Sequence, residues 1–255
     1  MIRPTGSYPI CACGSTLDQG VHDHSSGAAP FSRRGFLQRA AVGAVGGAAS
    51  AAILDIAIAP SAMAANPLTP DQALQELADG NRRFVEGRMT HTAEDLDILK
   101  QKTVDKQEPF AAVLSCADSR VPVELVFDQA IGHVFVTRVA GNVASAEIIA
   151  SLEFGAAVLG TKAILVLAHG GCGAIAAAIG AKAVPGQIST LYRFIRPAVD
   201  QAGSNVDTVA KANAKIQAAM LREASPVLAE LVKNNQLKVV SGFYDLATGK
   251  VEVLG

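Results

Sequence analysis

Three short apolar runs, at residues 110–115, 133–139 and 163–168, constrain the fold of this chain more than any other feature. Each has strand length, and each reads as nearly continuous Ala, Val, Ile, Leu and Phe rather than as an alternation of polar and apolar residues. Strands with that pattern are buried on both faces, the situation of a parallel sheet covered by helices. Between the second and third runs, residues 144–160 favour a helix and close on Gly160, long enough for the crossover that parallel neighbours need. The hydrophobic fraction of 50% with only 5% aromatic agrees with such a core. The expected class is α/β: an open, mostly parallel sheet flanked by helices.

The remaining segments fit that plan. Thr69-Pro70-Asp71 opens a helix predicted to run to about Gly87, with Leu74, Leu77, Phe84 and Val85 at helical spacing and Pro70 suited to the first turn. Residues 205–234 hold one long helix or two, and residues 237–244, 245–249 and 250–254 read as strand, turn and strand, with Gly249 in the turn. A length of 255 residues is enough for one domain with a large core. With 22 basic and 23 acidic side chains, no bulk field draws the protein to nucleic acid or to an anionic membrane, so a small-molecule partner is expected.

Residues 1–64 read as an address rather than as part of the fold. Ser32-Arg33-Arg34-Gly35-Phe36-Leu37 precedes a weakly apolar Ala/Gly/Val stretch and then Ala62-Met63-Ala64, the order of a signal peptide. The paired arginines resemble a twin-arginine export signal. The expectation is a leader handed to the twin-arginine (Tat) export machinery, a mature chain of residues 65–255, and a periplasmic or extracellular destination. A membrane anchor is disfavoured, because Asp55 interrupts a stretch that Gly and Ala leave only mildly hydrophobic. Cleavage would remove Cys11, Cys13, His22 and His24, leaving Cys116 and Cys172 as the mature cysteines.

Ligands of open parallel sheets gather at the carboxyl ends of the strands. Cys116 directly follows the first run and His169 directly follows the third, so two distant stretches deliver metal-binding side chains to one edge. The elements are Cys116-Ala117-Asp118-Ser119-Arg120 and His169-Gly170-Gly171-Cys172-Gly173. Two thiolates and an imidazole supply three of the four positions that zinc usually fills. Either Asp118 or water completes the set, which decides whether the site is closed or catalytic. Glycines in the second turn allow both ligands to face one ion, and Gly173 offers an amide without a side chain in the way. Arg120, two residues after Asp118, can hold its carboxylate by a two-point fork. A water acidified by zinc toward a pKa of about 7 would then lie beside an ionised Asp118 able to orient it. Taken singly these residues have plainer readings: buried inert cysteines, a surface ion pair, a strand-start His133 and a solvated His91.

The paired motif Cys116-x-Asp118-x-Arg120 and His169-x-x-Cys172 resembles that of the β-class carbonic anhydrases. Gly80-Asn81-Arg82-Arg83-Phe84, the stretch from Phe127-Asp128-Gln129 to Arg138-Val139-Ala140-Gly141-Asn142, and Tyr244-Asp245-Leu246-Ala247-Thr248-Gly249 are similar too. The resemblance implies reversible hydration of carbon dioxide to bicarbonate, with zinc on Cys116, His169 and Cys172. It also implies that Asp118 either joins the zinc or swings to Arg120, giving a pH switch. Gln107, Phe135 and the Gly173 amide are the implied substrate contacts, in a homodimer or homotetramer whose sites form between subunits. The inhibitory bicarbonate site of some members uses a tryptophan, and this chain has none. Hydrolysis of carbonyl sulfide or carbon disulfide on the same zinc site, and a closed, non-catalytic zinc site, stand as alternatives.

Overall fold

A computed structural model describes residues 66–90, 101 and 103–254. The leader at residues 1–64 and His91 lie outside the described residues. Helix α1, Pro70–Val85, begins at Thr69, whose Oγ1 accepts the Gln72 amide at 3.2 Å while the Gln72 side chain accepts the Thr69 amide at 2.8 Å. That reciprocal pair satisfies two donors that would otherwise be orphaned at a helix start.

After β1, Ala111–Ser115, come the short α2, Val123–Val126, and β2, Val134–Arg138. Helix α3, Ala146–Glu153, runs on as a single wide turn, Phe154–Val158, before β3, Ala163–His169. Helices α4, Gly173–Gly180, and α5, Tyr192–Ala202, follow. The segment expected to hold one helix or two holds two, α6, Val206–Ala224, and α7, Pro226–Lys233. Ser225 makes the break: its backbone is extended, its hydroxyl caps Leu228 at 3.0 Å, and Pro226 has no amide with which to continue α6. Strands β4, Lys238–Tyr244, and β5, Val251–Leu254, end the described chain. Every expected strand falls within two residues of its predicted bounds. Among the described residues no helix is long and apolar enough to cross a membrane.

The strand order is β2-β1-β3-β4-β5, parallel except for the β4–β5 hairpin. β1 and β3 are buried along their whole lengths. Their side chains alternate between two cores. Ala112, Leu114, Ile164 and Val166 face Leu152, Ile175, Ile195 and Leu221 on one side. Ala111, Val113, Leu165 and Leu167 face Leu77, Val123 and Phe127 on the other. Each fully buried Leu or Ile contributes roughly 1.5–3 kcal/mol, so this double-faced packing holds the central strands rigidly where the ligands leave them.

Several segments that prompted the family resemblance prove to be scaffold. Asn81 donates to the carbonyls of Val126 at 3.0 Å and Gly249 at 2.9 Å and accepts the Val251 amide at 2.9 Å. Arg83 pairs with the buried Asp128, which also accepts from Thr90. One helix thus ties α2 and the β5 hairpin together.

Candidate metal centre

The sheet register builds the site. Ser115 pairs with Leu167, so the chain leaving β1 sets Cys116 level with the last residues of β3, and His169 ends that strand. Cys116 continues the alternation of Ala112 and Leu114 into the same core, which buries its side chain. Cys172 is the residue from which α4 starts, and the turn between the strand and that helix needs Gly171 at φ 58°, a left-handed backbone that glycine adopts without penalty.

Cys116, His169 and Cys172 are buried, and their ligand atoms all lie within 4.8 Å of one another. The two sulfurs are 4.0 Å apart and form no disulfide. Zinc–sulfur bonds of ~2.3 Å at tetrahedral angles call for about 3.8 Å between sulfurs, so the donors are already spaced for the ion. The imidazole is turned correctly as well. Nδ1 donates to the Gly170 carbonyl at 2.9 Å, which leaves the lone pair on Nε2. Nε2 is buried with no hydrogen-bond partner. Leaving such an atom unsatisfied costs about 1–3 kcal/mol, and a cation among the three donors removes that penalty. The residues present therefore fit zinc.

The charges of the three donors are uneven. The Cys172 thiol hydrogen-bonds to Cys116 and, against the effect of burial and with help from His169 and the Gly141 amide, brings the Cys116 thiol down to about 4. The same bond, with burial and the Cys116 charge, pushes the Cys172 thiol up. Burial opposes a charged His169, but the neighbouring Cys116 sulfur and its charge, with the Gly170 carbonyl and Asp118, outweigh it and raise the imidazole.

Asp118 lies beside these donors and is held by Arg120. Nε donates to Oδ1 at 2.9 Å, Nη2 to Oδ2 at 2.8 Å, and the Arg120 amide to Oδ1 at 3.0 Å. This fork keeps the Asp118 carboxyl far below the usual carboxylate range. Asp118 Oδ2 is 3.8 Å from His169 Nε2, so the carboxylate faces the donor set while bound to arginine rather than belonging to the set. Of the two arrangements the resemblance implies for Asp118, the structure has the arginine-bound one.

Three residues that the sequence reading does not single out complete the frame. Arg138, at the end of β2, donates from Nε to the Cys116 carbonyl at 2.9 Å and from Nη2 to that of Asp118, gripping the first turn from the neighbouring strand. Asp207, at the start of α6, accepts the Gly171 amide at 2.8 Å and steadies the second turn. The Gly141 amide donates to Cys116 Sγ at 3.3 Å. Arg138 and Gly141 lie in a stretch already noted for its resemblance. Asp207 is 36 residues from its partner and carries no sequence signal.

The implied substrate residues are not brought together in one chain. Gly173 opens α4 next to Cys172, and the space a side chain would take there is empty. Phe135 pairs with Ala112, four residues and roughly 13 Å before Cys116 at ~3.3 Å per residue, and its ring lies over Gly155. Gln107 is exposed on the amino side of β1, with the length of that strand between it and the sulfur. His133 stands at the start of β2, edge-on to Phe110, away from the donors as expected.

Comparison with known proteins places this geometry in a family. Residues 111–251 match the family model described as carbonic anhydrase. A carbonic anhydrase 2 of Mycobacterium tuberculosis is 33% identical over 193 residues, covering 72% of this chain and 91% of that protein. A carbonic anhydrase of Mycolicibacterium smegmatis is 32% identical over 192 residues, covering 72% and 93%. Among solved structures, a Coccomyxa β-carbonic anhydrase in complex with acetazolamide matches with a TM-score of 0.56 and 27% identity, over 71% of this chain and 86% of that one. One of two tetrameric β-carbonic anhydrases from Sordaria macrospora shares the fold, with a TM-score of 0.58 and 21% identity over 72% and 98%. Because the matched residues 111–251 span strands β1 to β4 and both ligand turns, the chain belongs to the β class of the carbonic anhydrase family.

Proposed function

We propose that this protein hydrates carbon dioxide reversibly to bicarbonate and a proton at a zinc ion held by Cys116, His169 and Cys172. The observation that carries the reading is an arginine-bound carboxylate, Asp118, set 3.8 Å from the orphaned nitrogen of His169. Zinc held by these residues would supply the acidity, bringing the pKa of a water to about 7 so that hydroxide would be available near neutral pH.

The chain's own residues do the rest. Arg120 keeps Asp118 ionised, and the carboxylate can therefore only accept: it would take a hydrogen bond at Oδ2 from the remaining O–H of the nucleophile, without taking up that proton, and so turn the lone pair to the substrate. Arg120 is itself steadied by the Gly171 carbonyl at 3.3 Å, which couples the two ligand turns. The amide of Gly173, free of any side chain, faces the product oxygens. Gln107 and Phe135 would complete the substrate wall from a second copy of the chain, since neither lies at the ligand edge of its own sheet. That arrangement calls for a homodimer or a homotetramer. The twin-arginine-type leader at residues 1–64 would export the folded enzyme through the Tat machinery, and the family resemblance supports residues 65–255 as its single catalytic domain.

The test is stopped-flow hydration of carbon dioxide by the mature protein between pH 6 and 9, with zinc content measured on the same sample and carbonyl sulfide as a parallel substrate. Zinc-dependent hydration that rises with pH supports the reading. A zinc-loaded protein that hydrates no faster than buffer yet releases sulfide from carbonyl sulfide overturns it.

A further inference from the structure

Helix α6 carries two amide side chains where its other inward residues are apolar. Asn213 and Gln217 are one turn apart and both fully buried, among Val209, Ala210, Ala214, Ala218 and Leu221. Burying two amides is unfavourable unless their polar atoms are bonded, and here the bonds all serve one loop and its surroundings. Gln217 accepts the Ala144 amide at 2.8 Å and donates to the Phe194 carbonyl at 3.0 Å and to Asn213 Oδ1 at 3.2 Å. Asn213 donates to the Gly141 carbonyl at 2.9 Å. These partners fix both amides' orientations. A flipped Gln217 would face the Ala144 amide with its own NH2, and a flipped Asn213 would set its oxygen against the Gly141 carbonyl.

The loop so held turns through two left-handed residues in succession. Gly141 is at φ 77° and Asn142 at φ 44°, and a side chain at 141 would come 2.9 Å from Ile195 Cδ1. Glycine and asparagine are the residues that take up such a backbone at least cost. What the turn achieves is the 3.3 Å contact of the Gly141 amide with Cys116 Sγ.

We propose that Asn213, oriented by Gln217, is a positioning residue for the metal centre: its grip on the Gly141 carbonyl aims the Gly141 amide at the Cys116 sulfur. An amide directed at a thiolate fixes the direction of its lone pairs and draws charge from it. Both effects tune how tightly and in what geometry the sulfur holds zinc. Helix α6 reaches the second ligand turn too, through Asp207, so one helix start and one helix face reference both turns to the same rigid body.

The inference rests on Cys116, His169 and Cys172 binding zinc, and the experiment separates the two. The wild-type protein and Asn213→Leu, which keeps the branched outline of the side chain with more bulk and removes its donor and its acceptor, are titrated with a chelator to obtain zinc affinity. Both are then loaded with cobalt to record the thiolate charge-transfer absorption. Asn213→Leu is expected to bind zinc about 10- to 100-fold more weakly and to shift that absorption. Leu221→Ala, a truncation on the same helix, should lower the melting temperature and move neither. Unchanged affinity and absorption in folded Asn213→Leu overturn the positioning role, whereas a wild-type protein that binds no zinc overturns the ligand set. If Asn213→Leu does not fold, wild-type protein loaded with an NMR-active cadmium isotope decides. A scalar coupling from the Gly141 amide proton to the metal across Cys116 supports the role, and its absence ends it.

Discussion

The two edges of the same sheet differ in how much one chain accomplishes there. At the carboxyl edge, β1 and β3 deliver Cys116 and His169 side by side, α4 starts on Cys172, and Arg120, Arg138 and Asp207 hold the turns. At the amino edge, Gln107 is exposed and Phe135 packs on Gly155, with no partner among the described residues that would make a substrate site. Neighbouring parallel strands point the same way, so their ends converge on one edge and a metal site needs only two of them. The other edge receives the opposite ends, and its residues can serve that site only from another molecule.

The largest effect expected is at the carboxyl edge. His169→Ala should lose zinc and fall to the buffer rate of hydration, read by metal analysis and stopped-flow together. Asp118→Asn should keep its zinc and lose about 10²- to 10³-fold in kcat/KM, the range for one preorganised hydrogen-bonding group at the reacting centre; retained turnover would remove Asp118 from the chemistry.

The amino edge predicts a smaller loss and a diagnostic recovery. Gln107→Ala should lower kcat/KM by about tenfold, as for one lost neutral hydrogen bond of about 1.4 kcal/mol. Subunits of Gln107→Ala mixed with those of Asp118→Asn should regain about a quarter of the wild-type rate, because half the chains pair heterologously and one site in each such dimer is whole. No recovery in subunits shown to exchange would place Gln107 in its own chain's site and dissolve the contrast between the edges.

The smallest effect is a proton count. With Cys116 already a thiolate above about 4 and Cys172 held protonated, zinc binding at pH 8 should release about two protons, one from Cys172 and one from a bound water of pKa about 7. Since His169 is raised above its ordinary value, its proton should replace that of the water as the pH falls through the imidazole range, so the number should stay near two. Calorimetry in buffers of different ionisation enthalpy reads the number; a fall toward one at pH 6 would contradict a raised His169.

Much of this was legible in the sequence, and for identifiable reasons. Buried parallel strands must be apolar throughout, so residues 110–115 and 163–168 announce themselves, and ligands placed directly after them announce the edge. A spacing of two residues allows the Asp118–Arg120 fork. The wide turn at Phe154–Val158, the helix break at Ser225 and the helix α5 with an internal Pro197 were not legible in the same way. Their outcomes depend on packing and capping rather than on periodicity.

The sequence by itself determined the strands and the candidate zinc donors, because each is written in local pattern, hydrophobic runs and a donor set in tight turns, and the family resemblance added the class of chemistry. Only the tertiary structure decided that Asp118 sits on Arg120 facing His169, that Asn213 reaches Gly141 across 72 residues, and that Gln107 and Phe135 stand apart from the metal edge. Those facts depend on which strand neighbours which and on where a helix face lands, and pairing between distant segments leaves no short-range trace to read.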